Sequence, residues 1–193
     1  SISGHRFFVN SGISTYENSD LRIYQRGTSS HNTITLNNKN SSDVWSSFRV
    51  GKKAEAKINY FSEKKNSIEA SHNGYNKIKS IDNVKRSVTI FDKAVSINDT
   101  VDSSGSYKAI GRWFISPNIT LIEADNESMC YLFEVVENGK IKQIKLTIMG
   151  AHCSEINKSN YFSGFNREEQ NYCISYKFSN LNHGSVKTRV EIM

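Results

Sequence analysis

Apolar residues in this chain return at every second position in run after run, and that period limits what the chain can fold into. Ile34 and Leu36 alternate with Thr33, Thr35 and Asn37, Ile144, Leu146 and Ile148 with Lys145 and Thr147, and Ile174, Tyr176 and Phe178 with Ser175 and Lys177. The chain closes on Val186, Thr188, Val190 and Ile192 interleaved with Lys187, Arg189 and Glu191. Successive side chains of a strand point to opposite faces, so each run predicts a strand with one buried and one wet face. Turn signals separate the runs: Asn37 to Asn40, His72-Asn73-Gly74, Asp102 to Gly105, Glu137 to Lys140, and Asn182-His183-Gly184. Between YLFEVV and IKQIKLTI, Asn138-Gly139 suits a type I′ hairpin, which needs positive φ at both central residues. Many short strands joined by tight turns imply an all-β, antiparallel sandwich or barrel with little helix. GFNREEQNY around Glu168 is the stretch expected to supply a helical turn or two.

At 193 residues the chain is long enough to bury roughly 70% of its unfolded surface without a disulfide or metal staple. Neither an internal repeat nor a low-complexity linker divides it, so residues 1–193 read as one β-sandwich-sized domain. SISGHRFFVNSG has neither the charged start nor the long apolar stretch of a signal peptide and begins as though already inside a strand. The expectation is a fragment of a longer chain. No apolar run approaches a membrane span.

Lysines and arginines exceed acids by 25 to 19, a net charge of +6 spread along the chain rather than gathered in blocks. Such a surplus favours an anionic partner. Nucleic acid lacks support, since there is no basic helix, zinc-finger spacing or RRM-like aromatic signature; an anionic polysaccharide fits the surplus equally well, and a merely solvated surface is its commonest explanation. Cys130, Cys153 and Cys173 are odd in number and widely spaced, which indicates neither a disulfide framework nor a zinc ribbon. The sequons at Asn40, Asn98, Asn118, Asn126 and Asn157 are about what chance gives in so Asn- and Ser-rich a chain, and they leave the compartment open.

Among His5, His31, His72, His152 and His183 there is no H-x-H or H-E-x-x-H pair, so a metal site would have to be assembled from distant strands. His152-Cys153 does not make a catalytic dyad, because neighbours on a strand face opposite ways. A G-x-S-x-G elbow and a phosphate-binding glycine loop are also absent. RIYQRGTSSHNT, residues 22–33, differs in gathering several chemistries at the mouth of a strand. Guanidiniums pair bidentately with carboxylates or sulfates, Gly27 lets backbone approach a ligand, and His31-Asn32 offers two adjustable polar groups. The same composition also suits a polar loop that staples the sheet edge, with Arg22 or Arg26 braced against Glu17 or Asp20. Tyr16 and Tyr24 could add sugar-stacking faces, whereas Trp45, Phe48 and Trp113 are expected in the core.

FFVNSGISTY, followed by RIYQRGTSSHNTITLNNKNSSDVWSSFRVGKKAEA, resembles the β-sheet domain of heparinase II/III-like proteins. That family reads D/N-S-G-x-x-x-Y, then R-G/S-T-x-x-H-N-T before an alternating strand, then W-x-x-F-R-V. IEASHNGY and GRWFISPNITL resemble its later strands, and YFSGFNREEQNYCISYKF its closing region more loosely.

The resemblance implies an antiparallel β-sandwich that follows a helical toroid in the whole protein, with an active cleft between the two. It further implies β-elimination of a uronate-containing, acidic polysaccharide such as a glycosaminoglycan, in the bacterial periplasm or at the cell surface, with the cytoplasm left open. The catalytic Tyr and Asn of that scheme belong to the toroid. The family's H-x-H-x-D motif falls before the first strand here, so this chain carries no catalytic residue and should be inactive alone; His5 is not assigned that part. The substrate-facing candidates are Tyr16, Arg22, Arg26, His31 and Asn32. His31 and Asn10 occupy positions that bind a structural zinc in relatives, but Asn10 stands where an Asp is usual, and an amide is the poorer ligand. Zinc is therefore expected in the full-length protein rather than in this fragment. The rival to the lyase is a non-catalytic carbohydrate-binding or structural sandwich of a cell-surface polysaccharide pathway.

Overall fold

The computed structural model describes Ile2 and residues 4–180 and 182–193, in which twelve strands form two antiparallel sheets. The smaller sheet orders β1 (Ile34–Leu36), β6 (Ala109–Ile115), β11 (Arg167–Phe178) and β10 (Cys153–Gly164) as β1-β6-β11-β10. The larger contains β2 (Ala56–Ser62), β3 (Ser67–His72), β4 (Ile81–Ile90), β5 (Ala94–Ser103), β7 (Thr120–Asp125), β8 (Cys130–Glu137), β9 (Lys140–Met149) and β12 (His183–Ile192). Its order is β2-β3-β4-β5-β12-β9-β8-β7. The architecture is the all-β sandwich that the period-two pattern and the resemblance anticipate.

The alternation sorts the core as expected. Ile174, Tyr176 and Phe178 of the small sheet and Ile144, Leu146 and Ile148 of the large are buried and belong to one hydrophobic cluster. Trp113 lies between the sheets at 2% exposure, and its indole N–H donates to Thr188 Oγ1 at 2.9 Å. An aromatic column runs through Phe8, Trp113, Tyr176 and Phe178, with ring centroids 4.6, 6.4 and 6.3 Å apart. Asn138 and Gly139 take φ of 50° and 73° between paired Glu137 and Lys140, as a type I′ turn requires.

Four local expectations fail, each for a physical reason. The GFNREEQNY stretch holds no helix: Gly164 pairs with Arg167 and Asn166 turns at φ 52°, so it is the β10–β11 hairpin. The α-helix lies instead at Asp20–Arg26 (α1), inside the segment read as a strand mouth. Ser19 starts it, its hydroxyl accepting from the Arg22 N–H at 3.3 Å, with Asp20 in the first turn and Arg26 in the last, as the helix dipole favours. Thr35 is not on a wet face: it is 6% exposed, and its hydroxyl accepts from Arg112. Trp45 and Phe48 are not core but are 70% and 63% exposed, on a loop that the sheets do not cover.

That helix adds a partial third layer. Tyr24 lies beside Cys173 and Arg112, on the side of β11 and β6 opposite Trp113 and Ile174, and burial there pushes the Cys173 thiol up to about 11. Cys130, Cys153 and Cys173 are all free. Among the described residues no helix is long and apolar enough to cross a membrane.

Candidate functional site

Two short segments share one edge of β6. Residues 7–9 run along its end, with the Val9 N–H donating to the Phe114 carbonyl at 2.9 Å and the Ser116 N–H to that of Phe7 at 2.9 Å. The strand β1 covers its beginning, from Gly111 back to Ala109. Between them the backbone ladder is interrupted, and Asn32 fills the break with its side chain. Its Oδ1 accepts from the Phe114 N–H at 2.8 Å, while its Nδ2 donates to the Val9 carbonyl at 3.0 Å. An amide can do both because it carries a donor and an acceptor, which an aliphatic residue of that size lacks. The Asn32 N–H donates to Asn10 Oδ1 at 3.3 Å, and the Ser11 N–H to the Ser30 carbonyl at 3.0 Å, so the N-S-G and H-N-T motifs are zipped together. Gly12 completes the lock: it turns at φ +81°, and a Cβ there would stand 2.0 Å from the Phe162 carbonyl oxygen.

The helix α1 and the loop from Asp43 to Lys52 form the other half. Gln25 ties the helix inward through Ser14, its Nε2 donating to Ser14 Oγ at 2.8 Å. Arg26 Nη1 donates to the Ser46 carbonyl at 2.5 Å, and Ser47 Oγ to Asn18 Oδ1 at 2.8 Å, which pins the loop tip against the helix. The Trp45 ring covers Gly51, where a Cβ would lie 2.8 Å from the indole. Exposed aromatic rings lie against Arg22 of α1, Phe48 at 63% and Tyr16 at 60% exposure, while Trp45 packs on its own loop.

Arg22 sits in the slot between two of them. It is 8% exposed, and its guanidinium carbon lies 5.1 Å from the Tyr16 ring centroid and 6.0 Å from that of Phe48. Its Nε and Nη1 are buried with no hydrogen-bond partner, so neither Glu17 nor Asp20 braces those atoms. Contact with aromatic faces offsets part of the desolvation of a cation, but a buried donor left unpaired still costs about 1–3 kcal/mol. The arrangement is a positive charge held between two aromatic rings with no partner from the chain at its buried Nε and Nη1, so a carboxylate or sulfate would reach those donors only once a covering ring moved aside.

The candidate residues thus divide. Arg26 and Asn32 engage the backbone and hold the loop, Arg22 and Tyr16 share the slot, and half-buried His31 lies at the joint between the two halves. Burial holds the His31 imidazole below its usual pKa, favouring the neutral ring. A zinc does not fit what is present. Asn10 Oδ1 already accepts from Asn32, and among the described residues no three His, Cys, Asp or Glu side chains gather to hold a metal. One imidazole and one amide oxygen fall short of the four ligands a structural zinc takes.

Sequence reasoning missed the framework behind Asn32. Arg86 on β4 and Asp99 on β5 stand opposite each other in register. Arg86 Nε and Nη2 donate to Asp99 Oδ1 and Oδ2 at 2.7 and 2.9 Å, and Nη1 donates to the Asn32 carbonyl at 2.5 Å. A signal was present: Arg86 falls on the apolar phase of Val84 and Val88, and Asp99 on that of Ile97 and Val101.

An all-β sandwich with the N-S-G and H-N-T motifs joined at one sheet edge agrees with the class of β-domain that the resemblance implies. The heparinase II/III-like C-terminal family matches residues 1–188, and the chain belongs to it. Its fold is similar to the heparinase III BT4657 gene product, with 18% identity, a TM-score of 0.75, and coverage of 97% of this chain and 28% of that one. It is likewise similar to the heparan sulfate lyase HepC from Pedobacter heparinus, at 16% identity and a TM-score of 0.72, over 98% of this chain and 29% of that one. This chain therefore spans under a third of the length of these structures. No curated protein matches the sequence.

Proposed function

We propose that this chain is the C-terminal β-sandwich of a polysaccharide lyase, lining one side of a cleft where an acidic, uronate-bearing glycan is cleaved by β-elimination. Family membership and likeness to two named lyase folds support the class. The observation that carries the chemistry is Arg22, a guanidinium held against the exposed Tyr16 and Phe48 rings with no partner from the chain at Nε or Nη1, so that displacement of a ring would bring an unpaired cation to the ligand. In elimination a base removes the proton on C5 beside the uronate carboxylate, a C4–C5 double bond forms, and the oxygen on C4 leaves with a proton. Neutralising the carboxylate makes the C5 proton more acidic. Arg22 supplies positive charge to a uronate or sulfate, Tyr16 offers a ring face to the sugar, and His31 presents a neutral imidazole at the joint. Arg26 and Asn32 hold these groups in register.

Base and acid come from the helical toroid expected upstream, so this chain alone is inactive. A zinc in the whole protein would need ligands from outside residues 1–193, with His31 as one donor. We place the protein in the bacterial periplasm or at the cell surface, where such polymers are met.

The test has two arms. The intact protein, offered a panel of uronate polymers with zinc supplied, should give the ultraviolet absorbance of an unsaturated uronate. No product from any polymer, with the protein folded, sinks the lyase reading; oligosaccharide binding without product supports the non-catalytic module instead. In the second arm, Arg22→Gln should weaken binding of an acidic oligosaccharide by about tenfold, the scale of one charge-assisted contact.

A further inference from the structure

The motif loop is tied to the sandwich core by one ion pair. Asp99 is 3% exposed and accepts from Arg86 through both oxygens; Oδ2 also accepts from the Tyr176 hydroxyl at 2.9 Å. The Arg86 guanidinium lies 4.8 Å from the Trp113 ring centroid, and Trp113 is itself fixed by Thr188. An ion pair with a buried partner is a weak source of net stability compared with well-packed apolar side chains, so its presence in the core calls for another reason. The geometry gives one. A guanidinium donates in fixed directions. Two of them meet Asp99, and the third, Nη1, meets the Asn32 carbonyl on the far side of the core.

With that contact, the backbone N–H and carbonyl of Asn32, its Oδ1 and its Nδ2 are all engaged, to Asn10, Arg86, Phe114 and Val9 respectively. We infer that Arg86, aimed by Asp99 and Tyr176, is a positioning residue that fixes the His31–Asn32 backbone and so the direction in which the motif loop presents its chemistry. It touches no ligand itself. A lysine in its place keeps the charge beside Asp99 but, as a point charge on a flexible stem, loses the planar fork that serves both partners. The functional half of this inference rests on the glycan-binding reading above; the structural half does not.

The experiment compares the chain with Arg86→Lys and with Val135→Ala, a core truncation on β8 whose register partner is Lys142. Amide hydrogen exchange is followed by NMR at Phe114, whose N–H reports the Asn32 bond, and at Tyr131 as a reference. In Arg86→Lys, exchange at Phe114 should quicken about 10- to 100-fold beyond any change at Tyr131, whereas Val135→Ala should not quicken Phe114 beyond Tyr131. Equal acceleration at both sites in Arg86→Lys, or none at Phe114, overturns the inference. Binding of an acidic oligosaccharide gives the functional readout. Arg86→Lys should weaken it several-fold while Val135→Ala leaves it unchanged, and unchanged affinity in Arg86→Lys overturns the functional half. A wild-type chain that binds no oligosaccharide would count against the glycan reading, with the exchange result still deciding the structural half.

Discussion

Arg22 and Arg86 are both drawn into this protein, and they differ in what meets them. Arg86 keeps part of its side chain exposed, yet its donors reach a carboxylate and a carbonyl with an indole face alongside. Arg22 is the more deeply buried overall, yet two of its nitrogens have no hydrogen-bond partner, and its guanidinium lies against two aromatic rings. Burial therefore does not separate them; partnership does. The first arginine has its counter-charge inside the sandwich and behaves as framework. The second has been desolvated without one, which a fold tolerates where something from outside supplies it.

The largest expected effect breaks the satisfied member. Arg86→Met leaves the Asp99 carboxylate buried with Tyr176 as its remaining donor among those bonds, and should destabilise the chain by about 3–5 kcal/mol, the usual cost of an uncompensated buried charge. Urea denaturation should show the midpoint falling with the slope unchanged. A loss below 1 kcal/mol would mean that the pair is solvated and not part of the framework.

Next comes Asn32, which the framework holds. Asn32→Ala strands the Phe114 N–H and the Val9 carbonyl at the break in the β6 edge, and should cost about 1–3 kcal/mol. Asn32→Asp keeps the acceptor for Phe114 but sets a carboxylate oxygen against the Val9 carbonyl, so its cost should be at least as large. A cost below about 0.5 kcal/mol for Ala would show that water takes over both bonds and that Asn32 does not hold the edge.

The unsatisfied member should answer with the opposite sign. Arg22→Met keeps the stem between Tyr16 and Phe48, removes an unpaired buried cation, and should stabilise the chain by about 1 kcal/mol while weakening acidic oligosaccharide binding. Destabilisation instead would show that the cation–π contacts outweigh the unpaired donors, and the contrast between the two arginines would collapse.

The two regions were also unequally legible in the sequence. The strands could be read because a period of two has one interpretation when β-branched and aromatic residues carry it, and Asn-Gly at the β8–β9 turn admits few backbones. The helix α1 could not, because DLRIYQR is shorter than two turns of apolar period and its start signal is a single serine in a run of polar residues. Trp45 and Phe48 misled for a related reason: composition places aromatics inside, whereas their loop is fastened outside the sandwich, to Arg26 of α1 and to Asn18 just before it. The motif residues were found through resemblance, but their division into those that hold and those that offer depends on where β6 runs out of backbone partners. Arg86 and Asp99 were legible in principle as opposite charges on the apolar phases of adjoining strands; their register, which makes them a pair, was not.

The smallest effect links pH to the same framework through His72. Burial lowers its pKa first, the positive charge of Arg86 lowers it further, and Asp99 partly opposes both. Its Nδ1 accepts from the Gly74 N–H at 3.2 Å, a bond that protonation at that nitrogen would break. The unfolded chain takes up the proton near the ordinary histidine value of about 6.5, the folded chain only at lower pH. A group depressed in this way contributes its stability fully above the unfolded value and loses it as pH falls through the window down to the folded one. Denaturant stability should accordingly decline as pH falls below the ordinary histidine value of about 6.5, and His72→Gln should flatten part of that decline. Arg86→Met should flatten it too, because losing the guanidinium removes a repulsion and leaves Asp99 to favour the imidazolium. Arg22→Met, which has no part in the environment of His72, should leave the slope as it is. An unchanged slope in Arg86→Met would show that burial alone sets His72, and would remove the electrostatic reach assigned to the satisfied arginine.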